Sequence, residues 1–210
     1  MTLRHFLTGL LTLGMLMSNV PSADAAENSE DEDFIDGVVE EVPEDIYKWV
    51  QSTARANYYF NFRRMGYQID ADGFINLDVL LVPALFIYDD IQKEDVISKR
   101  RWRNKSREGY DSLVGRADYL RFQLADGTVQ VTERNDLDDQ WGVLDTDKSG
   151  EPIELSGLSK GSVECKFYRA ILAYAKQHND EIIKHSPGKL SPKDSKLSTD
   201  QMPIMKFDLP

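Results

Sequence analysis

Tyr119-Leu120-Arg121-Phe122-Gln123-Leu124-Ala125-Asp126-Gly127-Thr128-Val129-Gln130-Val131-Thr132-Glu133 is the stretch on which the fold class turns. In its first arm Tyr119, Arg121 and Gln123 alternate with Leu120, Phe122 and Leu124. In its second arm Val129 and Val131 alternate with polar residues. A period of two on both sides of an Asp-Gly turn predicts a half-buried antiparallel hairpin. Tyr67-Gln68-Ile69 and Phe74-Ile75, joined by Asp70-Ala71-Asp72-Gly73, repeat the arrangement on a smaller scale and predict a second hairpin.

Helical periods flank these hairpins. Pro43, Glu44 and Asp45 suit a helix amino terminus, and Ile46, Trp49, Val50, Thr53, Asn57 and Phe60 keep helical spacing. That spacing predicts a helix to about Met65, stopped by Gly66, with the aromatic run 58–62 packed in the core. Residues 79–88 are strongly apolar and interrupted by Pro83, which predicts a buried segment to Pro83 and a helix over 84–97. Val163, Phe167, Ile171, Tyr174, His178 and Ile182 mark one helix over 162–184, ended by Pro187-Gly188. The expected class is α+β: an N-terminal helix, antiparallel hairpins forming a small sheet, and a C-terminal amphipathic helix packed on it.

The ends of the chain carry different signals. Arg4, the mostly apolar stretch 6–17 and the small-residue site Ala23-Asp24-Ala25 form the three parts of a cleavable secretory signal peptide over 1–25. A mostly apolar stretch of twelve residues is too short for a membrane span, which needs about 20, so an integral membrane protein is not expected. The protein is therefore expected to be exported, periplasmic or extracellular, and soluble. Residues 26–42 read as an acidic disordered leader, 43–185 as a single domain, and 186–210 as a flexible Pro/Ser/Lys tail whose apolar end, 202–207, suits docking.

The 210-residue chain has a net charge of −11, from 25 basic and 36 acidic side chains. Ten acids and no Lys or Arg lie between Glu27 and Asp45. Without them and the signal peptide, 24 basic side chains face 25 acidic ones. The acidity thus belongs to the leader, and export rather than charge argues against nucleic acid as a partner. A single Cys excludes an internal disulfide or a cysteine-based zinc cluster. Cys165 itself reads as a small buried hydrophobe.

The sharpest local feature is the basic run 99–107, in which Lys99, Arg100, Arg101, Arg103, Lys105 and Arg107 surround Trp102. Cations around an aromatic can bind a polyanion, whether an acidic glycan, a lipid head group or an acidic protein; a solvated charged face whose Trp102 tucks into the core accounts for the same run. The acidic leader is an intramolecular competitor for the same run, with an attraction that fades as salt rises.

Two weaker constellations point to other chemistry. Gly157-Leu158-Ser159-Lys160-Gly161 matches the nucleophile elbow of a small hydrolase. Glu151-Pro152-Ile153-Glu154-Leu155 suits the required central strand poorly, however, and His178 lies 19 residues along a helix. A helix cap at Ser159 or Ser162 accounts for the same residues. Asp145, Asp147 and Ser149 before Gly150 resemble half of a calcium loop, with Asp136, Asp138 and Asp139 near enough to add oxygens, but position twelve is Ser156. Turn-forming Asp residues explain the pattern equally. No cofactor is expected. The leading expectation is a non-enzymatic exported binding or accessory protein, and the alternative a small hydrolase or a calcium-binding domain.

Overall fold

The computed structural model describes residues 42–208. The signal peptide read over 1–25, and all of the acidic leader except Val42, lie outside the described residues.

Eight antiparallel strands form one sheet. They are β1 (Tyr47–Ser52), β2 (Ala56–Asn61), β3 (Gly66–Ile69), β4 (Ile75–Tyr88), β5 (Leu113–Gln123), β6 (Thr128–Asp138), β7 (Val143–Asp147) and β8 (Ile153–Glu154). The order is β1-β2-β4-β5-β6-β7, with β3 on β4 and β8 on β6. Helices α1 (Asp90–Trp102), α2 (Val163–Gln177), α3 (Asn179–His185) and α4 (Pro203–Lys206) complete the mixed α+β architecture.

Both expected hairpins are present. Gln123 faces Thr128 and Phe122 faces Val129 across the β5–β6 turn, where Gly127 takes φ 64°. Gly73 takes φ 83° in the β3–β4 turn, where the Asp70 carboxylate accepts from the Asp72 and Phe74 amides. Both are backbone conformations that Gly adopts without a Cβ penalty.

The expected N-terminal helix over 43–65 is not formed; β1 and β2 occupy that stretch instead. Aromatic and branched residues there also fit a period of two. The hydroxyl of Thr53 turns the chain by accepting from the Arg55 and Ala56 amides. Tyr58 and Phe60 then face the helices, whereas Tyr59 joins the apolar cluster on the opposite face. A helix would have left half of these aromatic rings in water.

Pro83 does not end its segment either: β4 continues through it to Tyr88, and α1 begins only at Asp90, capped by Asp89 accepting from the Gln92 amide at 2.7 Å. On one side of β4, β3 pairs with residues up to Leu81 and β2 from Ala84 onward. Pro83 lies in the gap between them, where an interior strand tolerates a residue without an N–H.

The main core lies between this sheet and α2. Phe167 packs edge-on to Tyr58 at 5.6 Å between ring centroids and at 5.5 Å from Phe86, which itself meets Tyr58 at 5.0 Å. The expected single helix over 162–184 is broken at His178, which ends α2 and precedes α3. Ser162 caps α2 by accepting from the Cys165 amide, and Cys165 is fully buried, with the Arg169 guanidinium donating to its sulfur at 3.7 Å.

Residues 186–208, expected to be a flexible tail, run along the domain. The Ser186 hydroxyl accepts from the Tyr67 amide, Lys189 bridges Phe74, and Ile204 is fully buried. Asn179 links this segment to the sheet by accepting from the Tyr67 hydroxyl at 2.6 Å and donating to the Met202 sulfur. The composition of the segment suggested solvation; its few apolar side chains decided otherwise.

Candidate functional site

Register across the middle of the sheet lines up two rows of side chains on the face toward α1 and α2. Phe86, Arg116, Asp136 and Asp145 stand directly opposite one another on β4, β5, β6 and β7. Two residues along, Ala84, Asp118, Arg134 and Asp147 form the neighbouring row. The charges alternate between the rows, so each arginine has carboxylates beside and diagonal to it, an arrangement that favours cross-strand pairing. Asp118, 2% exposed, accepts from Arg134 Nε at 3.0 Å and lies 3.3 Å from an Arg116 nitrogen. The Arg116 guanidinium also covers the Phe86 ring at 4.6 Å.

Helix α1 roofs these rows without a single buried residue; Val96 and Ile97 are its partly buried contacts with the core. Its strongest tie is ionic. Arg100 donates to Asp145 at 2.6 Å and lies 3.9 Å from Asp136, and its guanidinium sits 4.0 Å over the Tyr110 ring. The Tyr110 hydroxyl donates to Asp136 at 2.6 Å, and Lys105 reaches Asp145 at 3.2 Å. Between roof and rows is a cleft of about 260 Å³, lined by six basic and three acidic side chains together with Tyr88.

The electrostatics follow from these contacts. The Arg100 hydrogen bond, with Lys105, holds the Asp145 carboxyl below its ordinary range. The Ser149 hydroxyl and amide do the same for Asp147. Burial pushes Tyr88 up to about 12, and burial with the Asp136 hydrogen bond raises Tyr110 further. At neutral pH the cleft therefore presents a neutral Tyr88 phenol beside ionised Asp145 and Asp147.

The basic run divides between two surfaces. Arg100 and Lys105 turn inward, and Lys99 pairs with Asp95 along the helix at 2.6 Å. Arg101, Arg103 and Arg107 are exposed and make no ion pair among the described residues, and Trp102 is 84% exposed. A core position for Trp102 is thereby ruled out.

The acidic candidates are separated by their own bonds. Asp136 and Asp145 join the network with Arg100, Asp138 closes a turn by accepting from the Gln140 and Gly142 amides, and Asp139 is exposed. Asp147 is taken by Ser149. Among the described residues no group of three His, Cys, Asp or Glu side chains is placed to hold a metal ion. Ser159 lies on an exposed turn after the two-residue strand β8, and its carbonyl accepts from the Ser162 amide. His178 sits at the far end of α2, stacked on Tyr174 at 4.2 Å and bonded to Glu181.

Sequence reading missed Arg116, Asp118, Arg134, Tyr88 and Tyr110. The repeated Arg-x-Asp at 116–118 and 134–136, on the two arms of one hairpin, was a usable signal. Among known proteins, no family model, curated sequence or solved structure matches this chain.

Proposed function

We propose that the protein is an exported, non-enzymatic binding or accessory protein of the cell envelope or secreted fraction, which contacts an acidic polymer through the outward end of α1. Export rests on the three-part pattern in residues 1–25. The observation that carries the binding reading is Trp102, 84% exposed between Arg101 and Arg103, where cations beside it lack carboxylate partners. A large aromatic left in water beside unpaired guanidinium groups matches what polyanion surfaces use: charge for attraction and a ring for stacking. Among the described residues no helix is long and apolar enough to cross a membrane.

The test is retention on heparin and on polyphosphate across a salt gradient, for the wild type and an Arg101→Gln/Trp102→Ala double variant. Expected is retention that falls with salt and a loss of about tenfold in affinity in the variant, from two removed surface contacts. Both side chains are exposed, so the melting temperature should not move. Failure of the wild type to bind either polymer at 50 mM salt would overturn the reading, as would equal binding by the variant. The ten acids between Glu27 and Asp45 should compete, so deleting 27–41 should raise low-salt affinity.

A further inference from the structure

The cleft beneath α1 is distinct from the helix surface that carries Trp102. Its helix-side lining is Gln92, Val96, Lys99 and Arg100, one stripe of α1, with Arg103 just past the helix end bordering both surfaces, and Arg101 and Trp102 lie off that stripe.

Hydrogen bonding within the cleft is unbalanced. Each lining carboxylate is already engaged, Asp136 by Tyr110, Asp145 by Arg100 and Lys105, and Asp147 by Ser149, and Asp118 beside the lining is taken by two arginines. Donors are left over. The buried Arg116 Nε has no acceptor, Arg103 has no ion pair, and the Tyr88 hydroxyl has no partner among the described residues. Of these, the Arg116 Nε is the buried atom, and a buried donor without an acceptor is costly and calls for an explanation.

We propose that this cleft binds the oxyanion head of a small phosphate or sulphate ester, with Tyr88, Arg103, Lys105, Arg116 and Arg134 as its donors. The lining has six basic against three acidic side chains, and cations still outnumber carboxylates when Asp118 and Asp95, paired with three of the six, are counted. A volume of about 260 Å³ is enough for one such head with a short substituent. The donors come from β4, β5, β6 and the loop after α1, and converging donors suit a group with three terminal oxygens better than a planar carboxylate. Arg116 and Arg134 are held in place by Asp118, so they meet the ligand preorganised.

The proposal does not rest on the polymer reading, and the two fail separately. Inorganic phosphate, sulphate and acetate are titrated into the purified protein at constant ionic strength, with binding followed by calorimetry and by melting temperature. Expected is saturable binding of phosphate or sulphate in the millimolar range or tighter, with acetate weaker. Tyr88→Phe and Arg103→Gln should each weaken it about tenfold, the loss of one hydrogen bond to a charged group. Both substitutions leave the Asp118 cluster intact, and the melting temperature of the free variants checks that they fold. Arg101→Gln/Trp102→Ala should bind phosphate as the wild type does. Absence of saturable phosphate and sulphate binding up to 20 mM overturns the proposal. So does acetate binding tighter than phosphate, or binding weakened by the surface pair but not by Tyr88→Phe and Arg103→Gln.

Discussion

Arg100 on α1 and Asp145 on β7 meet at 2.6 Å, with the arginine side chain 11% exposed, and this contact holds a helix that buries no residue of its own. A helix so attached depends on charge where most depend on apolar area. Arg100→Ala removes the pair, the stacking over Tyr110 and the nearby cation for Asp136 together. The expected cost is about 2 kcal/mol in urea unfolding, since a partly buried carboxylate loses its partner. Asp145→Asn should cost less than Arg100→Ala, because the amide still accepts a hydrogen bond. Equal stability of wild type and Arg100→Ala would show that α1 is held by Val96 and Ile97 instead.

The same contact sets an acid limit. Asp145 has a folded-state pKa below its unfolded value, because Arg100 and then Lys105 bind its charged form. A depressed carboxylate contributes stability that is fully present above the unfolded value, about 4, and is lost as pH falls through the folded value. Unfolding free energy should therefore decline below about pH 4, and Asp145→Asn should flatten part of that decline. A set of urea midpoints between pH 2 and pH 6 for both proteins measures the difference.

Gly115 faces Ile87 and Leu137 in the centre of the sheet, and a Cβ there would fall on the carbonyl oxygen of Phe86. Its backbone angle is ordinary, so the constraint is close approach and not conformational freedom. Gly115→Ala should destabilise by about 3 kcal/mol through forced separation of β4 and β5. Gly157, which has open space around its Cβ position, is the matched control and should change little on substitution to Ala.

Ile204 is fully buried although it lies six residues from the chain end. Ile204→Ala should cost about 3 kcal/mol, the range for removing a buried branched side chain. Truncation after Ser186 should be at least as damaging, because Met202 leaves with it and Asn179 loses a partner. Thermal unfolding of both variants tests whether the segment belongs to the cooperative domain.

Cys165, buried completely in the first turn of α2, should resist alkylation in the native protein. Its labelling rate should rise with urea in parallel with loss of structure. Rapid labelling at zero urea would place the thiol at the surface.

Local chemistry made both hairpins legible, because an Asp-Gly turn between alternating arms leaves few other conformations for a short segment. The site was legible only in pieces. The basic run and the acidic candidates were each visible, yet nothing local indicated that Arg100 would find Asp145, 45 positions away. Register hid the rest. Extending the Gln123–Thr128 pairing without interruption sets Asp118 opposite Glu133, a repulsive pair. The bulge at Tyr119/Leu120 shifts the ladder by one and sets Asp118 opposite Arg134.

The sequence by itself determined the two Asp-Gly turns, the cap at Ser162, the amphipathic α2 and the separation of charge along the chain, since each depends on residues a few positions apart. Tertiary structure alone decided that residues 47–52 and 56–61 are strands, that β4 runs through Pro83, that the last described residues dock, and which charges meet. Those outcomes depend on which distant surface each segment buries and on the register in which it does so. Spacing along the chain contains neither.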